Sequence, residues 1–246
     1  MKSPDSFKLL GVTVIVAVTS FTAANSLYAA PLPPGGSVIT TGSVPTLGAL
    51  VADSGLQFFT APNYGPNPQG ITGPIFSGFV ETKVYTGSGT GLLYAYQLTN
   101  TSTAADSSGN IVSSFLNAID LSGFNGVTIS NADFNNPNTI TPLGDIGADE
   151  ADRTAGAGSV VTFVFSGTGV GNDVGLPPGS FNDTSKWLFL QTTSLTPPVF
   201  NSATIYGATS ATAAILAPVP EPATTLFGVA LFGATVSSGF RRRHRK

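Results

Sequence analysis

The chain has 246 residues with 29 Gly, 18 Pro, no Cys and one His, and only 9% of its residues are charged. Hydrophobics at 41% and aromatics at 10% exclude a disordered chain, and the length allows one domain with a real core plus accessory segments. The lack of Cys excludes disulfides, thiol nucleophiles and cysteine-held zinc.

The formal net charge of −3 averages unlike parts. Five of the ten basic residues, Arg241, Arg242, Arg243, Arg245 and Lys246, occupy the last six positions, and Lys2 and Lys8 lie near the start. Between Pro31 and Val219, Lys83, Arg153 and Lys186 face eleven acids, a net of −8. That stretch cannot build a basic face, so no nucleic-acid partner is expected.

Lys2 and Lys8 precede an uncharged apolar run from Leu9 to Val18, followed by Ala23-Ala24, Ala29-Ala30 and Pro31. A charged start, an apolar stretch and small residues are the three parts of a secretory signal peptide, assigned here to residues 1–29. Cleavage after Ala24 or Ala29 fits, whereas Pro31 disfavours a cut after Ala30. An uncleaved N-terminal anchor is the alternative. Signal peptidase and the secretion machinery are the implied partners.

Residues 30–74 hold eight prolines and read as a loosely structured lead-in, with one or two strands near Leu47 to Val51 and Leu56 to Phe59. Residues 75–217 show short runs of alternating apolar and polar residues separated by turn formers, the pattern of half-buried strands. Phe79 to Tyr85 and Leu92 to Leu98, joined by the glycine-rich Thr86 to Gly91, predict a hairpin. Leu92, Tyr94, Tyr96 and Leu98 fall on one face of its second strand. Further strands are expected over Ser114 to Leu121, Gly126 to Ser130, Ser159 to Phe165, Trp187 to Thr192, Ala203 to Tyr206 and Ala211 to Leu216. No amphipathic helix longer than three turns and no internal repeat is visible. The expected fold is all-β, an antiparallel β-sandwich of Ig-like or jelly-roll type.

Residues 218–246 begin Pro218-Val-Pro-Glu-Pro222, continue uncharged from Ala223 to Phe240 and end Arg-Arg-Arg-His-Arg-Lys. As a helix, the eighteen residues 223–240 would extend about 27 Å, close to the ~30 Å hydrocarbon core of a bilayer. The basic end stays on the cytoplasmic side and places Glu221 and everything before it outside. Pro220, Glu221 and Pro222, the apolar span and the basic stop in this order resemble the PEP-CTERM sorting signal of bacterial surface proteins. The resemblance implies exosortase as partner, cleavage near the Pro-Glu-Pro, transient anchoring in the inner membrane, and delivery to the cell surface or an exopolysaccharide matrix. A single-pass protein that keeps its helix is the alternative. The order of Val84-Tyr85, Leu93 to Asn100, Arg153 before Val160 to Phe165, Pro178-Gly179 and Lys186 to Thr192 is also similar to a domain that often precedes such tails. This second resemblance implies no activity.

His244, the single His, lies in the basic tail, so the exported part has none for a Ser-His-Asp triad or a His-held metal. The Ser-x-x-Lys spacing is absent before Lys83 and Lys186. Carboxylates remain: Asp145, Asp149, Glu150 and Asp152, in a segment that ends at Arg153. They read first as a solvated acidic loop with Arg153 paired to a neighbour. Hard oxygens would suit Ca²⁺, the one cofactor considered, although the spacing is not that of an EF-hand. Two of the acids set ~5–9.5 Å apart would suit a glycosidase. No catalytic residue and no enzymatic activity is expected. Exopolysaccharide binding would need exposed aromatics among Tyr64, Tyr85, Tyr94, Tyr96, Trp187 and Tyr206. Of these, Trp187, Tyr94 and Tyr96 are expected in the core. Asn100-Thr-Ser102 and Asn182-Asp-Thr184 match glycosylation sequons.

Overall fold

The computed structural model describes residues 30–43, 45–62, 74–87, 91–109, 114–137, 139–165, 167, 169–171 and 183–219. The expected signal peptide, the Pro220-Glu221-Pro222 motif, the 223–240 span, the basic end, His244, Tyr64 and Asn182 lie outside the described residues. No helix among the described residues is long and apolar enough to cross a membrane.

The described residues are all-β. One sheet has six strands, in the order β1 (Ser37–Ile39), β8 (Glu150–Arg153), β9 (Val160–Val164), β6 (Ala118–Ser122), β12 (Val199–Tyr206) and β13 (Ser210–Ala217). A second has five, in the order β2 (Leu50–Ala61), β3 (Phe76–Thr86), β4 (Leu92–Asn100), β11 (Trp187–Thr192) and β7 (Ile129–Asn135). Two-residue strands β5 (Phe115–Leu116) and β10 (Val170–Gly171) pair at one end. Every ladder is antiparallel. The inward faces of both sheets share one core, with Phe59, Phe76, Tyr94, Tyr96, Leu188 and Leu190 from the second meeting Ile119, Leu121, Phe163, Ile205 and Ile215 from the first.

The alternation in the sequence accounts for the clearest elements. In β9, Val161 and Phe163 point into the core while Val160, Thr162 and Val164 are only partly covered. The β3–β4 hairpin forms in the register Thr86↔Leu92 to Gly78↔Asn100. Leu92, Tyr94, Tyr96 and Leu98 all lie in the core, as one face of β4 requires. The other face of β4 is buried too. Leu93 and Ala95 form a smaller cluster with Tyr85, Ile140, Trp187 and Phe189, and residues 140–142 cover it. Pro142 O accepts from Trp187 Nε1 at 3.0 Å and from Gln97 Nε2 at 2.9 Å.

Three elements depart from the sequence reading. The strand expected over Gly126 to Ser130 is instead Ile129–Asn135, because Asn125-Gly126 turns the chain and Val127 N donates to Phe124 O at 3.2 Å. The two short strands expected in the lead-in are a single strand β2, which continues through a bulge at Asp53-Ser54-Gly55. Gly55 takes φ 62° there, its N–H donating to Asp53 Oδ1 at 2.8 Å, so turn-forming residues sit inside a strand. Finally, Glu150–Arg153 is strand β8 where an acidic loop was expected.

The lead-in belongs to the sheets it precedes. Pro33 to Gly36 make a type II turn, with Pro34 at its second position, Gly35 at φ 73° in its third, and Gly36 N donating to Pro33 O at 2.9 Å. The turn lays β1 antiparallel to β8, and Leu32 N reaches Ile129 O at 3.2 Å on the far sheet. Residues 32–43, which include the edge strand β1 beside β8, therefore act as a strap between that sheet and β7 at the edge of the other.

Candidate functional site

Of the four candidate acids, Asp145 and Asp149 precede β8, while Glu150 and Asp152 lie on it. Asp145 N–H donates to Thr184 O at 3.0 Å and Asp149 N–H to Val164 O at 2.8 Å, each in a different stretch of backbone pairing. Glu150 and Asp152 alternate with buried Ala151 and Arg153, so both point away from the core on β8. There Glu150 accepts from Ser37 Oγ, and Asp152 stands opposite Ser37 and Thr162. Among the described residues no group of three or more His, Cys, Asp or Glu is placed to hold a metal ion.

Arg153 does not pair with a neighbouring acid. It is 4% exposed, and its guanidinium donates to four backbone carbonyls. Nε reaches Gly158 O at 3.0 Å, Nη1 reaches Leu32 O at 3.1 Å, and Nη2 reaches Phe124 O at 2.8 Å and Val127 O at 2.6 Å. Burial pulls its pKa below the usual arginine value. One side chain thus joins the strap, the 124–127 turn and the loop before β9.

Asp133 is the counterpart at the other end of the strap. It sits on β7, 2% exposed. Oδ1 accepts from Thr41 N and Gly42 N, both at 2.9 Å, and from Phe134 N at 2.8 Å. Oδ2 accepts from Thr41 Oγ1 and Ser43 N, both at 3.0 Å, and from Ser43 Oγ. Burial alone would raise the pKa of this carboxyl, but the hydrogen bonds from Ser43, Gly42 and Phe134 outweigh it and hold the pKa below the ordinary aspartate value. A cation and an anion, each buried without an opposite charge, fasten the same twelve-residue strap through backbone dipoles.

The other two cations of the 31–219 stretch are engaged as well. Lys83 Nζ is 2.9 Å from Glu81 Oε1, lies 4.9 Å from the Trp187 ring centroid and donates to Thr141 O at 3.3 Å. Lys186 Nζ lies 5.4 Å from the Phe134 ring centroid.

Among the aromatic candidates, Trp187, Tyr94 and Tyr96 are fully buried and Tyr85 nearly so. Tyr96 OH donates to Leu216 O at 2.8 Å, whereas Tyr94 OH is buried with no hydrogen-bond partner and its pKa is raised by burial. Tyr206 is partly exposed and donates to Asp120 Oδ2 at 2.9 Å. The sequence reading missed the exposed aromatics Phe58, Phe115 and Phe200, of which Phe58 is one half of a ring pair. Phe58 is 58% exposed on the outer face of the five-stranded sheet, its ring 5.5 Å from that of Phe79 in an edge-to-face pair. Leu56, 63% exposed, shares that face. The signal was available: Phe58 and Phe59 are adjacent on a strand, so one of them must point outward.

The sequon at Asn100 is closed to modification in the folded chain. Asn100 is 1% exposed, and Nδ2 donates to Ser114 O at 3.2 Å and Val170 O at 3.0 Å.

No protein-family model, no curated protein and no solved structure matches this chain.

Proposed function

We propose that this chain is an exported bacterial envelope or matrix protein, sorted by a PEP-CTERM signal and cleaved near Pro220-Glu221-Pro222 by exosortase, with a non-catalytic structural role. The observation that carries the reading is the order of three features at one end: the proline-flanked Glu221, the apolar 223–240, and Arg241 to Lys246. The body is compatible with it. β13 ends at core residue Ala217, so the motif follows the last strand after Pro218 and Val219. Proline on either side of Glu221 disfavours helix at that point of the sequence, which suits cleavage there by a membrane-embedded enzyme. The frame is a β-sandwich, although its six- and five-stranded sheets exceed the seven to nine strands of immunoglobulin domains and the eight of a jelly roll.

Replacement of Glu221 by Ala is expected to leave the protein in the membrane fraction while the unaltered chain is released. Equal release of both would overturn the reading.

A second reading, binding to exopolysaccharide, rests on the Phe58–Phe79 pair beside Leu56. A sugar ring covering half of Phe58 would gain about 1–1.5 kcal/mol. Phe58→Ala is therefore expected to weaken retention on immobilised exopolysaccharide roughly tenfold. Unchanged retention would remove the strip as the contact.

A further inference from the structure

A cavity of about 260 Å³ lies under the strap, between Pro31 to Pro34 on one side and Gly126 to Ile129 on the other, with Arg153 in its wall. Pro33 and Pro34 have no N–H to donate, and the strap passes from its bond to Ile129 O at Leu32 N to bonds with Arg153 O and Thr154 O at Gly35 N. Most of the lining is apolar, from prolines, Leu32, Val127 and Ile129.

The charge beside this cavity is unbalanced. Arg153 carries five N–H donors, and the four hydrogen bonds to Gly158, Leu32, Phe124 and Val127 leave one uncommitted. The only salt bridge among the described residues is that of Lys83 with Glu81, so no described carboxylate neutralises the guanidinium. A mostly apolar wall with one buried cation that no described carboxylate neutralises favours a ligand with one negative charge and an apolar body. Phosphates and dianions bring more charge than the site answers, and a neutral hydrocarbon leaves the fifth donor empty. The volume is below the ~300–1,000 Å³ of drug-sized sites and limits the ligand to fewer than about ten heavy atoms.

We propose that this cavity is a binding site for a small monocarboxylate with an apolar tail, held by Arg153 and covered by the proline strap. Hexanoate is the probe and hexanamide its uncharged isostere. Isothermal titration of the purified full chain is expected to show saturable one-to-one binding of hexanoate with a Kd of about 1 mM or tighter. Hexanamide should bind at least about tenfold more weakly, since it lacks the charge. Arg153 is also a structural clamp, so the blocking variant is placed elsewhere: Thr128 lines the cavity yet is exposed, and Thr128→Trp closes its mouth. That variant should fold with an unchanged midpoint and lose hexanoate binding. Absence of binding up to about 20 mM, equal binding of the amide, or binding unaffected by Thr128→Trp would each overturn the proposal.

Discussion

Replacing Arg153 with Met is expected to lower the unfolding free energy by about 3–4 kcal/mol, read as a shift of the urea midpoint at constant slope. Methionine keeps most of the stem volume and removes every donor. The carbonyls of Leu32, Phe124, Val127 and Gly158 then lose their shared partner. Phe124 O keeps its bond from Val127 N, and each of the other three, buried and left unpaired, costs on the order of 1–3 kcal/mol. The full sum is not reached, because water can enter through the adjacent cavity. Arg153→Lys should recover only about half of the loss. One ammonium carries three donors on a single nitrogen and cannot span the four carbonyls that the guanidinium fork reaches. A loss below about 1 kcal/mol for Arg153→Met would mean that the strap is not fastened by this side chain.

Asp133→Ala should cost about 2–4 kcal/mol for the mirror-image reason. It strands the N–H groups of Thr41, Gly42, Ser43 and Phe134 and the hydroxyls of Thr41 and Ser43. The same residue gives stability a pH dependence of known sign. The folded pKa of Asp133 lies below the unfolded value, so between the two the unfolded chain binds more protons. Its contribution is complete above the unfolded value of about 3.9 and is lost as pH falls through the folded value. Acid unfolding of the unaltered protein should therefore contain a component below about pH 4 that Asp133→Ala lacks. Because Arg153 and Asp133 hold the two ends of one strap, their losses should not add. The double variant should lose less than the sum of the singles, whereas independent sites would add within about 0.5 kcal/mol.

The parts of this fold that were legible in the sequence are those decided by neighbours along the chain. The β3–β4 hairpin follows from two alternating runs and a glycine-rich join, and β9, β11 and β13 from β-branched or apolar runs of strand length. The core face of β4 follows from period two alone. What escaped was decided by partners far away in sequence. Arg153 reaches Leu32 across 121 positions, and Asp133 reaches Thr41 across 92. With charges at buried positions such as Asp133 and Arg153, Glu150–Arg153 and Asn131-Ala-Asp133 carry the composition of loops although the chain lays them as strands. The strap itself left one local clue, the Pro-Pro-Gly-Gly signature of a type II turn, which composition alone renders as a loose segment. The candidate carboxylate site was likewise unreadable, because its cation and its walls come together only once the strap is in place. Sorting is the opposite case, since every feature that implies it lies within the last 29 residues.

The intact mass of the protein, purified from cells with and without exosortase, tests that reading most directly. With the enzyme present, the chain should end near Pro220-Glu221-Pro222 and lack the 223–240 segment and the basic residues Arg241 to Lys246, while the enzyme-free cells keep both. A protein that still carries Arg241 to Lys246 in exosortase-positive cells would contradict it.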